Sequence, residues 1–106
     1  MVRWSHPAKQ DLKQIHEFIS RDSKFYAQKV VLAIVEKSEI LNDFPNIGRI
    51  VPERNEERIR EIFIYSYRMI YQINLDSVEI LALIHSSSDI ALLGLPDVDS
   101  SFFAFI

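Results

Sequence analysis

The chain has 106 residues, 48% of them apolar, with no cysteine and a formal net charge of −3. That length suits one domain with one core; the lack of cysteine excludes disulfides and thiolate metal sites, and the near-balanced charge argues against a generic nucleic-acid binder. No stretch approaches the roughly 20 apolar residues of a membrane span, and the N-terminus lacks the form of a signal peptide, so a soluble, cytoplasmic protein is expected.

In chain order, residues 2–5 alternate as a short strand does. Pro7 then suits the first turn of a helix, where its missing N–H costs nothing. Leu12, Ile15 and Ile19 recur at helical spacing, with Phe18 widening the stripe, which predicts a helix over 7–20. Residues 20–23 break it with capping side chains. Ala27, Val30, Val31, Ile34 and Leu41 mark a second helix over 23–42, closed by Pro45, which disfavours helix at Phe44. So short a link makes an antiparallel hairpin of the two.

Residues 45–57 read as a loop. Three strands follow, over 59–64, 67–74 and 78–85, separated by turns at Tyr65-Ser66 and at 74–77. The middle strand alternates in two sets, Tyr67/Met69/Tyr71/Ile73 and Arg68/Ile70/Gln72/Asn74. The last is apolar at nearly every position, the pattern of a strand covered on both faces. The predicted fold is α+β, in the order β-α-α-β-β-β, an antiparallel sheet with the helical hairpin packed on it. Residues 1–88 form the domain, and residues 89–106 a distinct tail. All 12 Lys and Arg and 12 of the 15 Asp and Glu lie in residues 1–88; the tail holds Asp89, Asp97 and Asp99 and ends in Phe102-Phe103-Ala104-Phe105-Ile106. An apolar run of that kind must dock on the domain or be covered by a partner.

Several pieces in this order carry a family resemblance: Ala8, Asp11-Leu12, Ile15 and Ile19; Ala27, Ile34, Leu41, Pro45 and Gly48-Arg49; Arg60-Glu61; Tyr67-Arg68-Met69-Ile70-Tyr71; and Ile80-Leu81 with His85. Over residues 1 to about 85 the sequence is similar to the RelE/ParE superfamily of toxins from type II toxin–antitoxin modules, on the ParE-like side. The resemblance implies a cytoplasmic toxin, including plasmid-stabilisation types, neutralised by a cognate antitoxin. It leaves the target open between DNA gyrase, which the ParE branch inhibits by binding, and messenger RNA in the ribosome, which the RelE branch cleaves. A third reading is an attenuated relative that only forms antitoxin complexes. Fold alone does not choose among them.

Metal-free RNA cleavage needs a base, a cation for the charged phosphorane and an acid for the leaving oxygen. The candidates are Arg68, His85 and Glu53 as catalytic residues, with Arg49, Arg60 and Tyr71 as target- or antitoxin-binding residues. Arg68 occupies the strand position where RNA-cleaving relatives carry a phosphate-binding arginine; it can equally pair with Glu61 or Glu79 across the sheet. His85 is followed by Ser86-Ser87-Ser88, where RNA-cleaving relatives supply basic residues. Neither a metal nor an organic cofactor is expected, since no His, Asp and Glu have ligand spacing and no glycine-rich phosphate loop is present.

Overall fold

A computed structural model describes residues 1–87. Its elements are β1 (Val2–Trp4), α1 (His6–Ser20), α2 (Lys24–Glu39) with a 3-10 turn at Ile40–Asn42, β2 (Arg49–Ile50), β3 (Ile59–Ile64), β4 (Tyr67–Ile73) and β5 (Val78–His85). The α+β class and the hairpin on a sheet are as the sequence indicates. Each helix starts where a serine caps it: Ser5 Oγ accepts from the Ala8 amide, and Ser23 Oγ from that of Tyr26. The second helix loosens into the 3-10 turn two residues ahead of Phe44-Pro45, the boundary the proline imposes.

The strands lie in the order β1-β5-β4-β3-β2. The β3–β4–β5 meander is antiparallel, as expected. Two features differ from the sequence reading. Strand β1 pairs parallel with β5, Val2 opposite Val78 and Trp4 opposite Ile80, so the sheet is mixed. A two-residue strand, β2, forms inside the expected loop, placing Arg49 opposite Glu61. Neither pairing leaves a local signal: the first joins the two ends of the domain, and the second is too short to show alternation.

The helices cover one face. Ala8, Ile15, Val30, Ile34 and Leu41 pack there against Ile62, Met69, Tyr71, Ile80 and Leu83. The other face, here called the outer face, carries a second cluster of Val51, Ile59, Ile70, Leu81 and Ala82, with no helical residue in it. A register shift at Ile70/Tyr71 adds to the outer cluster. Ile70 faces Ala82 while Tyr71 faces Ile80, so Leu81 is the extra residue of a bulge. Consecutive residues Leu81 and Ala82 thereby both enter the outer cluster, which strict alternation forbids.

Candidate functional site

Strand β3 carries Ile59, Glu61 and Phe63 on the outer face, and Glu61 is fully buried, with its side chain 0% exposed. A carboxylate in that position needs compensating donors. They come from both neighbouring strands. Arg49 on β2 donates Nε to Glu61 Oε2 at 2.5 Å. Arg68 on β4, diagonal to Glu61 in the register, donates Nε to Oε1 at 2.6 Å. The far side of the Arg68 guanidinium is gripped by Glu53 from the 51–57 loop, with Nη1 to Oε2 at 3.0 Å and Nη2 to Oε1 at 2.8 Å. This fork-to-fork geometry is the strong form of the arginine–carboxylate contact. Glu53's hydrogen bonds push the Arg68 pKa up, against the opposing effect of burial, and Glu61 adds to the rise. Arg68 therefore stays cationic. Two carboxylates and two guanidinium groups make a locally neutral unit. The Arg49 guanidinium also lies over the Phe63 ring, 5.0 Å from its centroid.

Arg60 and Tyr71 are cross-strand partners on the helix side, and both hold the Pro45–Gly48 segment. The Tyr71 hydroxyl donates to the Pro45 carbonyl at 2.7 Å and accepts from the Gly48 amide at 2.9 Å. Burial pushes the phenol pKa up, against the Gly48 N–H and the nearby charge of Arg60. Arg60 Nη1 donates to the Gly48 carbonyl at 3.0 Å, and its Nε to the Glu57 carbonyl at 3.0 Å. A Cβ at Gly48 would stand 2.6 Å from both the Glu61 carbonyl oxygen and the Tyr71 hydroxyl. Glycine is what lets the loop approach β3 so closely, and that approach delivers Arg49 to Glu61.

His85 stands apart from this group. It is opposite Tyr67, one position beyond the Ile84–Arg68 pair, so strand alternation turns it to the face opposite Arg68. Its ring meets Tyr67 edge-on at 6.1 Å, and Nδ1 lies 2.7 Å from Ser87 Oγ. The structure thus brings together Arg68, Glu53 and Arg49, assigns Arg60 and Tyr71 to loop anchoring, and separates His85. Glu61, the centre of the cluster, is not among the expected site residues; the sequence offers it as a cross-strand partner of Arg68, and that pairing is present. Among the described residues no group of His, Cys, Asp and Glu is arranged to hold a metal ion, and no helix is long and apolar enough to cross a membrane.

One open cleft borders the cluster, and a second groove lies on the helical hairpin. The cleft, of about 300 Å³, runs between Lys37 and Ile40 at the end of α2, Ile47 and Arg49 in the loop, and Phe63. On the helical hairpin, Phe25 and Leu32 are 77% and 61% exposed beside a shallow groove shared with His16 and Val31. Large apolar side chains so exposed mark a surface suited to a protein partner.

The family model described as the ParE toxin of the type II toxin–antitoxin system parDE matches residues 2–90. No curated protein matches the sequence significantly. Among solved structures, the chain is similar to one from the chromosomal ParDE toxin–antitoxin system of P. aeruginosa, with 21% identity and a TM-score of 0.67 over 79% of this chain and 92% of that one. It is also similar to one from the RelBE2 toxin–antitoxin complex of Mycobacterium tuberculosis, with 23% identity and a TM-score of 0.60 over 80% and 95% of the two chains. At these identities the structural likeness speaks for the fold.

Proposed function

This chain belongs to the ParE toxin family of type II toxin–antitoxin systems, and on that premise we propose that it acts in the cytoplasm by binding DNA gyrase rather than by cutting RNA, and that a cognate antitoxin neutralises it. The closed ion cluster is the observation that carries this reading. The Arg68 side chain is 5% exposed, and two carboxylates bond to its guanidinium. A phosphate could reach it only by displacing Glu53 and working against the charge of buried Glu61. Glu53 commits both oxygens to Arg68, which makes it a poor general base. His85, the remaining candidate for proton transfer, faces the other side of the sheet. Cationic, acidic and imidazole groups are all present, but they do not converge on one reacting atom.

The test sets the two chemistries side by side. Purified protein is added to a gyrase supercoiling reaction and, separately, to ribosomes programmed with messenger RNA whose 5′ ends are mapped. Loss of supercoiling with intact transcripts is the expected result. Ribosome-dependent cuts that disappear with Arg68→Ala would overturn the binding mechanism.

A further inference from the structure

Helix α2 carries large apolar side chains on two sides. Val30 and Ile34 enter the core, while Phe25 and Leu32 stand largely exposed on the opposite side. A surface helix needs an apolar stripe only toward its core, so the outward pair calls for a second cover. Phe25, Lys29, Leu32 and Glu36 recur at intervals of four, three and four residues, which sets them in one outward row. Lys29 and Glu36 are both exposed. Neither forms a salt bridge among the described residues. Neither has an opposite charge three or four places away on its own helix, where such a partner would sit.

We propose that two copies of this chain pair through that row, their α2 helices antiparallel about a two-fold axis between Leu32 and Ala33. Under that symmetry each residue meets the one equally far beyond the axis. Leu32 then meets Leu32 and Ala33 of the second copy, Lys29 meets Glu36, and Phe25 meets Ile40, which is itself exposed in the 3-10 turn that ends the helix. Each charge lies about 5 Å along the helix from the axis, so one lysine–glutamate pair flanks the Leu32 contact on either side. Packed helix axes about 8–10 Å apart bring such pairs within reach. The shallow groove beside Phe25 and Leu32, lined also by Gln28, Val31 and His16 of α1, receives the other copy's Leu32. Charge complementarity selects this occupant. A row with lysine on one side of its apolar centre and glutamate on the other matches itself when turned end to end, whereas a parallel pair sets lysine against lysine. The apolar contacts supply the attraction, and the exposed ion pairs fix the register.

Two helix faces make a small interface, so association is expected at roughly 10–100 µM chain. Sedimentation equilibrium of the full-length protein without antitoxin should show the mass rising from 12.4 kDa toward twice that value across this range. Lys29→Glu and Glu36→Lys, each alone, turn both ion pairs into repulsions and should weaken association about tenfold. Combining the two substitutions in one chain, or mixing the two single variants, should restore it, because opposite charges meet again. Both positions are exposed, so the fold tolerates the changes. A chain that stays monomeric across the whole range overturns the proposal and leaves the face to another protein. Dimers indifferent to charge reversal overturn it as well, since they form through a different surface. The lack of native cysteine permits a second measurement. Leu32→Cys, beside the axis, should oxidise to an intermolecular disulfide about tenfold faster than Glu39→Cys, whose two-fold mate lies about 20 Å away along the helix. Equal rates at the two positions also reject the antiparallel pairing.

Discussion

At the residue scale, the outer face depends on a carboxylate without solvent contact. Glu61 is compensated by Arg49 and Arg68, and the arrangement is stable only as a set. Glu61→Ala leaves the Arg68 guanidinium buried with one of its two carboxylates gone. The expected loss is about 3–5 kcal/mol, a large part of the stability of so small a domain, read as a lower urea midpoint. A midpoint unchanged within error would mean that the cluster adds nothing to the fold. Tyr71→Phe is a milder change of the same kind. It orphans the Gly48 amide and the Pro45 carbonyl together, at an expected cost of about 1–3 kcal/mol, and it should loosen the segment that carries Arg49. Hydrogen exchange at Gly48, faster in the variant, reports that loosening. The sequence exposed Arg68, Arg49 and Glu53 as candidates because cations and acids in a loop and a strand stand out. It offered Glu61 as a partner for Arg68 but not its burial, because a charge in an alternating strand reads as solvent-facing and only the neighbouring strands decide that it is enclosed.

At the element scale, α1 is tied to β5 by a side chain. Asp11 accepts a hydrogen bond from the Leu83 amide at 3.0 Å, on the stretch of β5 beyond its pairing with β1. Burial raises the Asp11 pKa above its ordinary 3.8, partly offset by that hydrogen bond. A folded-state pKa above the unfolded one means the folded protein binds the proton more tightly. This contribution to stability is therefore fully present below the unfolded pKa and is lost as pH rises through the folded value. Asp11→Asn keeps an acceptor for Leu83 and removes the buried charge. It should stabilise the protein at pH 7 relative to the parent, with the gain shrinking as pH falls toward 4, as thermal melts across that range would show. A gain independent of pH would locate the effect elsewhere. Helix, hairpin and strand boundaries were readable because caps, Pro45 and apolar spacing are local. Strand β2 was not, since two residues hold no period, and the β5 bulge was not, since it depends on how β4 lies against β5.

For the molecule as a whole, the two faces of the sheet serve different ends. The helix side holds the main core, and the outer surface of the hairpin presents Phe25 and Leu32 to solvent. If that groove receives the antitoxin, Phe25→Glu with Leu32→Glu should weaken the complex at least about tenfold while leaving the melting temperature almost unchanged, because exposed substitutions rarely shift stability by more than about 0.5 kcal/mol. Undiminished affinity, measured by calorimetry with the purified antitoxin, would move the interface off the hairpin. The expected boundary at residue 88 and the tail of 89–106 lie outside the described residues.

The sequence by itself determined the α+β class, the helical hairpin, the β3–β4–β5 meander and the family, because each rests on short-range spacing and on motifs in a fixed order. The parallel placement of β1 against β5, the burial of Glu61 between two arginines and the separation of His85 from Arg68 came only with the tertiary structure. Those features arise where strands meet, and a side chain's environment there is set by its cross-strand neighbours rather than by its own position in the sequence.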